Sequence, residues 1–525
     1  MAGPKQEKPR EAIQGFDTAV LIVGAGPAGL TLAVDLARRG VACKIIDSSA
    51  VPKEASRGKG LQPRTLEVFD DLSTVDKVLA EGGPYPLIRS YDGRSVVAES
   101  YMHEHQLPRP DRPYPNIVML PQWRTEAVLR NRLAELGAEV QFGAELTGLD
   151  QDDQHVNAHI AVAGSQETVR AAYLVGADGG RSTVRRSLGV RFEGETSDHE
   201  RILFGDVLAE GLDREHWHLW PKGRGGMLGL CPLPATERFQ FSAQLSPGET
   251  PEETGTVFQR MFDERVGWPE VRLHDPSWFS LYRFNARLAE HYRQGRVFLA
   301  GDAAHVHSAA GGQGLNTSVQ DAYNLGWKLD QVLAGAPNSL LDTYEQERRR
   351  VAADVLQLSS RLHRKGADRV ETDRRDPAIS QLELNYRGGP LALELRPKPG
   401  AVQAGDRAPD GTCIDACGNL VRLFDLFRGS HFTLLAFGAH AAEAAVRLKQ
   451  PLRSVKVVTI AAGREVFKPT SLQEKDSNVS RAYDVRSGAL LLVRPDGYIG
   501  LAADASGQGQ LDIYLAQVSA AGRAN

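Results

Sequence analysis

The chain has 525 residues, of which 42% are hydrophobic, and it carries a formal net charge of −4 at pH 7. A chain of this length is expected to fold into two or three domains. Its small negative charge argues against nucleic acid or an anionic membrane as a partner, and no apolar run approaches the ~20 residues of a membrane-spanning helix. Four cysteines in so long a chain are not typical of a disulfide framework, so we expect a reducing, cytoplasmic location. Residues 1–16 are polar and charged, and we interpret them as a disordered extension rather than a signal peptide.

A dinucleotide-binding fingerprint follows this extension. A predicted strand over residues 18–23, the sequence GAGPAG and a predicted helix over residues 30–39 come in that order. The first glycine allows a tight turn, the second lets the backbone approach a pyrophosphate, and the third lets the helix pack on the strand. A second strand over residues 41–46 ends at an acid that is placed for the hydroxyl groups of a ribose. The candidate contacts are Gly24, Gly26, Ala28, Gly29 and Asp47.

The stretch from residue 57 to residue 118 is rich in charge, glycine and proline. Residues 57–67 are basic and interrupted by glycine, and a helix is predicted from Arg64 onward. Residues 81–118 have the composition of surface strands and loops. His103 and His105 lie close together, but no nearby cysteine or further histidine completes a ligand set, so no metal site is predicted.

Two further segments have the form of a ligand-binding helix start. Gln122 opens a predicted helix whose leucines share one face. Several strands are predicted over residues 146–176 with a turn near Asp152, and the last strand runs into the motif ADG and a helix with arginines. An acid and glycines at a strand end suit a ligand, although a charged helix N-terminus explains them as well. The residues concerned are Asp178, Gly179, Arg181 and Arg185.

Residues 201–285 form a predicted β-rich layer. Short strands are predicted over residues 202–207, 227–230 and 239–244, with turns between them. The layer holds an unusual share of the aromatic side chains, and such side chains on one face of a sheet suit the wall of a pocket for an aromatic ligand. We expect most of these rings in the core and only one or two as ligand contacts. The candidates are Trp217, Phe239, Phe241 and Tyr282.

A second glycine-rich segment lies between residues 295 and 318. An apolar strand over residues 297–300 ends at an acidic turn, and a loop with glycines leads into a helix. Thr317 and Gln320 fit a capping box, so we expect the helix to begin there. These features suit a large, planar, anionic ligand, although an ordinary strand–loop–helix crossover fits the stretch equally well. The candidate contacts are Asp302, Gly311, Gly312, Gly314, Leu315 and Asn316.

The composition changes from about residue 405. Strands are predicted over residues 432–437 and 455–460, with a helix over residues 441–448 between them. A hairpin with a Pro-Asp-Gly turn over residues 490–500 precedes a final helix.

The two glycine-rich segments together indicate which dinucleotide is bound. An NAD-binding domain is usually one contiguous unit, whereas FAD is longer and its isoalloxazine end can be held by a distant segment. The pairing of the N-terminal fingerprint with residues 295–318 therefore favours FAD.

The motifs GAGPAG, RGKGLQPRTLE, ADG and GDAAH…GGQGLN resemble those of the single-component (class A) FAD-dependent aromatic hydroxylases. Phenol hydroxylase and the polyketide aromatic hydroxylases of bacterial antibiotic pathways are the nearest subgroup. The resemblance covers about residues 17–350 with specific motifs and continues more loosely to the C-terminus. It implies an α/β fold with a Rossmann-like FAD-binding domain of the glutathione reductase type, an inserted β-sheet substrate domain and a C-terminal thioredoxin-like domain.

This resemblance and the predicted elements suggest domain limits. We place the FAD-binding domain at residues 17–200 and 286–400, and the substrate domain at residues 201–285 with parts of residues 81–118 as a candidate addition. The thioredoxin-like domain is placed at residues 405–525. It has no C-x-x-C motif, so we expect it to be redox-silent and to have a structural or dimer-contact role; a homodimer is therefore one expected assembly.

The resemblance also implies roles for single residues. Gln122 matches the family glutamine that hydrogen-bonds the ribityl region of FAD, and the ADG segment serves the pyrophosphate side of FAD and the approach of NADH or NADPH. Arg57 is a candidate contact to FAD or to an anionic substrate group, or else a solvated arginine. Lys59 stands where phenol hydroxylase has an acid that helps to ionise the substrate, so that role is not carried over. Tyr282, which matches an active-site tyrosine, is a candidate catalytic residue together with His307 and Arg57.

The implied function is an FAD-dependent monooxygenase that uses NADH or NADPH and O₂ to hydroxylate a phenolic or polycyclic aromatic substrate through C4a-hydroperoxyflavin. Family members usually carry proline where Ser308 and Ala309 stand, so a mechanism that uses a fixed prolyl carbonyl is not implied. Epoxidation, Baeyer–Villiger insertion or N-hydroxylation of a natural product or drug is the alternative on the same fold. A flavin reductase or a flavin-binding module without oxygenase activity is the alternative of another class.

Overall fold

The structure is a computed structural model that describes residues 15–246, 248–252, 254–307, 312–365, 377–447, 455–461, 471–485 and 488–520. Residues 1–14 of the predicted extension and the predicted flavin contact Gly311 lie outside these ranges, as do Ser308 and Ala309. In the ranges given, no helix combines the length and the apolar character that a bilayer crossing requires.

The strands and helices are numbered in chain order. The strands are β1 (Thr18–Val23), β2 (Cys43–Asp47), β3 (Gly60–Leu61), β4 (Leu87–Asp92), β5 (Ser95–Ser100), β6 (Val118–Met119), β7 (Val140–Phe142), β8 (Ala144–Gln151), β9 (Val156–Val162), β10 (Ser165–Gly176), β11 (Phe192–Glu210), β12 (His216–Trp220), β13 (Leu228–Pro232), β14 (Arg238–Leu245), β15 (Arg272–Ala289), β16 (Arg293–Gln294), β17 (Val297–Leu299), β18 (His305–Val306), β19 (Leu393–Glu394), β20 (Thr412–Ile414), β21 (Leu420–Arg422), β22 (Phe432–Phe437), β23 (Val455–Ala461), β24 (Ser471–Glu474), β25 (Ala489–Val493) and β26 (Ile499–Asp504). The α-helices are α1 (Pro27–Arg38), α2 (Pro63–Asp71), α3 (Val75–Glu81), α4 (Gln122–Glu135), α5 (Thr183–Ser187), α6 (Val257–Arg265), α7 (Gly314–Leu333), α8 (Asp342–Lys365), α9 (Leu423–Phe427), α10 (Gly438–Val446), α11 (Asn478–Tyr483) and α12 (Gln508–Val518). Short 3-10 helices cover Gly301–Ala303, Asn338–Leu341, Pro377–Ser380 and Ala505–Gly507.

The first sheet carries the parallel strands of a Rossmann-like fold. Its order is β16-β17-β10-β1-β2-β7, in which β17, β10, β1, β2 and β7 are parallel, and β8 and β9 form an antiparallel hairpin beside β10. Val23, Gly176 and Leu299 are paired in register at the carboxyl ends of β1, β10 and β17. This pairing brings the loops after three strands, which are far apart in the sequence, to one edge of the sheet, where ligands bind in such folds.

The second sheet has the order β18-β15-β11-β14-β13-β12-β4-β5. Its centre is the long antiparallel pair β11 and β15, which runs through the predicted domain limits at residues 200 and 285. Strands β4 and β5, from the segment at residues 81–118, join the same sheet. Helix α6 covers one face, where Phe258 packs against Phe241 with ring centroids 5.1 Å apart. The other face borders a cavity.

The C-terminal sheet has the order β19-β26-β25-β22-β23-β24-β20-β21. Strands β22 and β23 are parallel and are joined through α10, whereas β25 is antiparallel to β22 and β26 is antiparallel to β25. Ala441 of α10 and Leu511 of α12 are buried against this sheet. The β-α-β…β-β-α order predicted for a thioredoxin-like domain is confirmed.

Helix α7 begins earlier than the sequence predicts. It starts at Gly314, with Gln313 as its N-cap and no side-chain cap, so the predicted capping box at Thr317 is wrong. The Thr317 N–H and hydroxyl both donate to the Gln313 carbonyl, at 2.9 and 3.0 Å. Thr317 therefore lies inside the first helical turn, where its hydroxyl bonds back to the preceding turn instead of capping it.

A group of buried ion pairs joins the C-terminal sheet to α7 and α8. Glu347 pairs with Arg494 at 2.6 Å and with Lys328 at 2.8 Å, and Arg494 also pairs with Asp496. All four side chains are at most 1% exposed. Burial raises the pKa of Glu347, but Arg494 and Lys328 more than compensate and bring it to about 2. The carboxylate therefore stays charged, and the network depends on every partner remaining in place.

Arg494→Met is expected to lower the free energy of unfolding by about 3–5 kcal/mol, because it leaves Asp496 buried without a cation and Glu347 with Lys328 alone. Arg109→Met is the matched control. Arg109 pairs with Asp111 at the surface and is 66% exposed, so its loss should cost less than about 1 kcal/mol. Urea unfolding measures both variants, and equal shifts would contradict a structural role for the buried network.

Candidate active site

One large cavity lies between the carboxyl edge of the first sheet and the free face of the second. Its volume is about 1700 Å³, which exceeds the ~300–1,000 Å³ of a typical single-ligand pocket, so a cofactor and a substrate fit together. The predicted site residues that line it are Gly24, Gly26, Ala28, Asp47, Arg57, Gln122, Asp178, Gly179, Arg181, Trp217, Tyr282, Asp302, His307, Gly312, Gly314 and Leu315.

The fingerprint turn leaves an opening for an anion beside α1. Gly24 has a φ of +105°, and a Cβ atom there would clash with the Ala177 carbonyl oxygen, so glycine is required. A Cβ atom on Gly29 would clash with the Gly24 carbonyl. At Gly26, by contrast, an added Cβ atom meets nothing within 4 Å, and α1 begins there without a side-chain cap. The free N–H groups of α1 therefore suit a pyrophosphate.

Two carboxylates flank this turn. Asp47, at the end of β2, accepts hydrogen bonds from the N–H groups of Ala25 at 2.9 Å and Ser49 at 2.8 Å, and it keeps lone pairs for ribose hydroxyls. Asp178 Oδ2 accepts a bond from the Thr183 N–H at 2.7 Å. Its Oδ1 is buried and has no hydrogen-bond partner in the part of the chain that the structure describes, as expected of an atom that a ligand satisfies.

The turn after β17 presents a third carboxylate to the cavity. Gly301 has a φ of +60°, and its N–H donates to Asp321 at 3.1 Å. This arrangement directs Asp302 into the cavity. Burial deep in the protein raises the pKa of Asp302, whereas His305 and Arg57 lower it.

Two predicted ligand contacts, Asn316 and Arg185, are not among the residues that line the cavity. They hold the loops around it in place. Asn316 is fully buried; its amide group donates to the Gly60 carbonyl and its carbonyl oxygen accepts from the Gln62 N–H, both at 2.8 Å. It thereby ties α7 to the loop that carries Arg57. Arg185 donates to the Ala303 carbonyl at 2.8 Å and supports the Asp302 turn in the same way.

The second sheet forms the opposite wall of the cavity. Because side chains alternate along a strand, Gln240 and Ser242 of β14 line the cavity, while Phe239 and Phe241 point to the α6 side and are at most 1% exposed. The predicted substrate contacts Phe239 and Phe241 are therefore corrected: both are core residues. Trp217 of β12 is an aromatic residue that does line the wall.

The turns after β1, β10 and β17, which line the side of the cavity opposite the wall, are called the cradle. Tyr282 and His307, predicted from separate segments, meet where the wall joins the cradle. The Tyr282 hydroxyl donates to the His307 carbonyl at 3.3 Å. The His307 ring stacks on His305 with centroids 6.1 Å apart, and His305 pairs with Asp321 at 2.7 Å. Arg57, the third predicted catalytic residue, lines the cavity from an exposed loop.

Two family matches cover almost all of this architecture. Residues 17–359 match the FAD binding domain family, and residues 401–521 match the aromatic-ring hydroxylase C-terminal family. The chain belongs to the FAD-dependent aromatic hydroxylases. The hydroxylase is accordingly a monooxygenase whose cofactor is FAD.

Curated relatives and solved structures match the hydroxylase over nearly its whole length. It is 46% identical over 507 residues to a flavin-dependent monooxygenase of Mycobacteroides abscessus, covering 95% of this chain and 99% of that one. It is 34% identical over 526 residues to a 6-methylpretetramide 4-monooxygenase of Streptomyces rimosus, covering 94% and 92%. The crystal structure of aklavinone-11 hydroxylase with FAD and aklavinone has a TM-score of 0.81 at 28% identity, covering 97% and 100%.

The cavity of the hydroxylase fits FAD. The open side of Gly26 and the buried free oxygen of Asp178 mark the pyrophosphate side, and we expect Asp47 to hold the adenosine ribose. We expect Asp302 and Gln122 to hold the flavin side; Gln122 Oε1 already accepts a bond from the Gly58 N–H at 3.1 Å. The N-terminus of α7 lines the same end, where its partial positive charge would stabilise a reduced, anionic flavin.

Glu126 is a cavity residue that the sequence analysis missed. It lies one helical turn after Gln122, whose side-chain amide donates to it at 2.9 Å. Burial raises the pKa of Glu126 to about 7, against the opposing effects of Gln122 and Arg130. Its charge therefore changes in the physiological range. The available signal was its i, i+4 spacing from Gln122 on α4.

Gly26→Val is expected to lower the FAD content of the purified hydroxylase by about tenfold or more, because the side chain enters the space where the helix N-terminus meets the pyrophosphate. Gly26 has a φ of −76° and free space around it, so the FAD-free variant should keep the melting temperature of the FAD-free wild type. Gly24→Ala is the contrasting variant, since it should destabilise the protein as well. FAD content is measured as flavin absorbance per protein, and stability is measured by thermal unfolding. A Gly26→Val protein with the full flavin absorbance would refute the placement of the pyrophosphate beside Gly26.

Glu126→Gln is expected to remove a pH dependence of stability. An unfolded glutamate titrates near pH ~4.3, whereas folded Glu126 has a pKa of about 7, so the folded protein holds the extra proton between these values. The resulting stabilisation, roughly 4 kcal/mol at ~1.4 kcal/mol per unit, is complete below the unfolded pKa and is lost as the pH rises through the folded one. For FAD-free protein, the melting temperature of wild type minus that of the variant should fall between about pH 5 and about pH 7.5 and then level off. A difference that grows with pH would contradict this.

Proposed function

We propose that the hydroxylase uses NADH or NADPH and O₂ to hydroxylate one ring of a phenolic, polycyclic substrate. One observation supports this above the others: an FAD cradle and a sheet wall that bears aromatic side chains share a single cavity of about 1700 Å³. The relatives named for 6-methylpretetramide and aklavinone span nearly the whole chain, which favours a substrate of related chemistry.

When bound, FAD supplies the redox chemistry by taking up a hydride from NAD(P)H and activating O₂. The chain supplies binding, orientation and exclusion of water. In this proposal Trp217 and Phe204 offer a flat apolar surface to the substrate ring, and the Tyr282 hydroxyl orients a polar group of the substrate beside His307. Arg57 contacts an anionic group of the cofactor or the substrate.

We also infer the setting in which the enzyme works. The cysteines are all free thiols, which favours the reducing cytoplasm. The homodimer and the domain limits at residues 200, 285 and 400 remain predictions.

Incubation of the holoenzyme with NADPH or NADH, ¹⁸O₂ and a panel of polycyclic phenols tests the proposal. We expect one ring hydroxylation per NAD(P)H, with a single ¹⁸O atom in the product by mass spectrometry, because the oxygen comes from O₂. The FAD-poor Gly26→Val protein is the control and should form little product. Oxidation of NAD(P)H that yields only H₂O₂ across the panel would contradict the proposal.

A further inference from the structure

Lys59 carries a positive charge into the wall side of the cavity. Its Nζ lies 4.4 Å from the centroid of the Trp217 ring, and both residues line the cavity. Among the described residues, no carboxylate lies within ion-pair distance of this ammonium group. The Lys59 carbonyl accepts a hydrogen bond from the Leu120 N–H at 2.8 Å, and the next residue begins β3, which pairs with β6. The ammonium group therefore projects from a fixed backbone.

The wall behind Lys59 is polar. Cys231, Gln240 and Asp206 are paired in register across β13, β14 and β11, and Trp278 of β15 continues the row. Asp206 is 1% exposed, and the amide group of Gln240 donates to the Ser56 carbonyl in the loop that covers Asp206. The row brings one buried carboxylate close to the lysine, without a direct ion pair between them.

Asp206 is the neighbour whose charge acts on Lys59. The other titratable groups around Lys59 and Trp217 are Cys231 and Tyr85, and burial raises the pKa of both, so both are neutral at neutral pH. Burial raises the pKa of Asp206 too, whereas Ser56, Trp278 and the Lys59 charge lower it. The exposed Arg57 on the same loop adds positive charge.

Four polar atoms of this region are buried without partners. Within the ranges that the structure covers, nothing hydrogen-bonds to Trp217 Nε1, Trp278 Nε1, Ser56 Oγ or Asp206 Oδ1. Ser56 and Trp278 lie beside Asp206, whereas Trp217 lies beside Lys59. Buried polar atoms of this kind are rare and call for an explanation. An indole N–H and an ammonium group are both donors, and the ligand that suits two donors and a positive charge is an anionic oxygen.

We propose that Lys59 and Trp217 bind an ionised hydroxyl oxygen of the substrate, a phenolate or an enolate, and that Asp206 sets how strongly Lys59 attracts it. This inference rests on the proposed function and names the substrate group that the wall recognises. On binding, the substrate O–H bond breaks, its electron pair stays on the oxygen, and the proton leaves to solvent. Because Asp206 partly offsets the charge of Lys59, a neutral hydroxyl enters this site more easily than a permanently charged carboxylate does.

The pKa of bound 4-nitrophenol tests the subsite, because its phenolate absorbs visible light. The probe is titrated from low to high pH on oxidised holoenzyme without NAD(P)H, and spectra are recorded against holoenzyme alone. The wild type should lower the apparent pKa of the probe by about 1–3 units, as expected for an opposite charge within ~4–6 Å. Lys59→Met should return it to the value in free solution, and Lys59→Arg should keep most of the shift.

The Asp206→Asn variant should have the opposite effect from Lys59→Met. It removes the carboxylate that offsets Lys59, so the pKa of the probe should fall below that in the wild type, a change of sign that loss of packing does not produce. Lys53→Met is the matched control, since Lys53 is an exposed lysine of the same loop at the cavity rim, and it should leave the shift unchanged. FAD content and melting temperature verify that each variant is folded.

Three outcomes would overturn the inference. The first is no pKa shift in the wild type, or the same shift in Lys59→Met. The second is a higher probe pKa in Asp206→Asn than in the wild type. The third is binding of 4-nitrobenzoate that depends on Lys59 more strongly than binding of 4-nitrophenol, which would assign the site to a carboxylate. Because no turnover is involved, these results are independent of the ¹⁸O experiment, whose failure would count against the proposed function alone.

Discussion

The buried carboxylate of Asp321 holds the two halves of the active site together. One of its oxygens accepts from the Gly301 N–H at 3.1 Å and pairs with His305 at 2.7 Å, and the other pairs with Arg348 of α8 at 2.7 Å. Burial raises the pKa of Asp321, but Arg348 and His305 more than compensate, so the group stays charged. Gly301 leads into Asp302 of the cradle, and His305 lies in β18, which pairs with β15 of the wall. A single charge therefore fixes the cradle relative to the wall.

The same helices carry the connection to the C-terminal sheet. Arg348 also donates to the Tyr386 hydroxyl at 2.9 Å, and the preceding residue, Glu347, pairs with Arg494. Arg64 of α2 donates to the Asp496 carbonyl at 2.8 Å. Of the described residues beyond 383, none lines the cavity. The C-terminal sheet thus stabilises α7 and α8 from outside the cavity. It contributes to the site by helping to fix the position of the Asp321 carboxylate.

Local patterns in the sequence predicted the strands, the fingerprint turn and the order of the C-terminal elements, because each depends on neighbouring residues. Which face of a sheet a side chain lies on is not determined by its neighbours in the sequence. The alternating sequence of β14 allows Phe239 to point to either side, and only the position of α6 settles which face is core. Thr317 fits a cap, yet backbone bonds to Gln313 start the helix earlier. Lys59 and Asp206 lie on separate segments, so no spacing rule could have joined them.

The corrected orientation of β14 changes which substrates the wall accepts. With Phe239 and Phe241 on the core side, the cavity side of the sheet carries Gln240, Ser242 and Ser280 between its aromatic residues. A hydrocarbon without polar groups would displace water from these side chains but could not replace its hydrogen bonds, and this loss costs free energy. A site built to hydrogen-bond oxygens rejects analogues that lack them far more strongly than an apolar pocket distinguishes shapes. Since a one-residue slip of register exchanges the two faces of a strand, selectivity for oxygen-bearing rings depends on the pairing of β14 with β11 and β13.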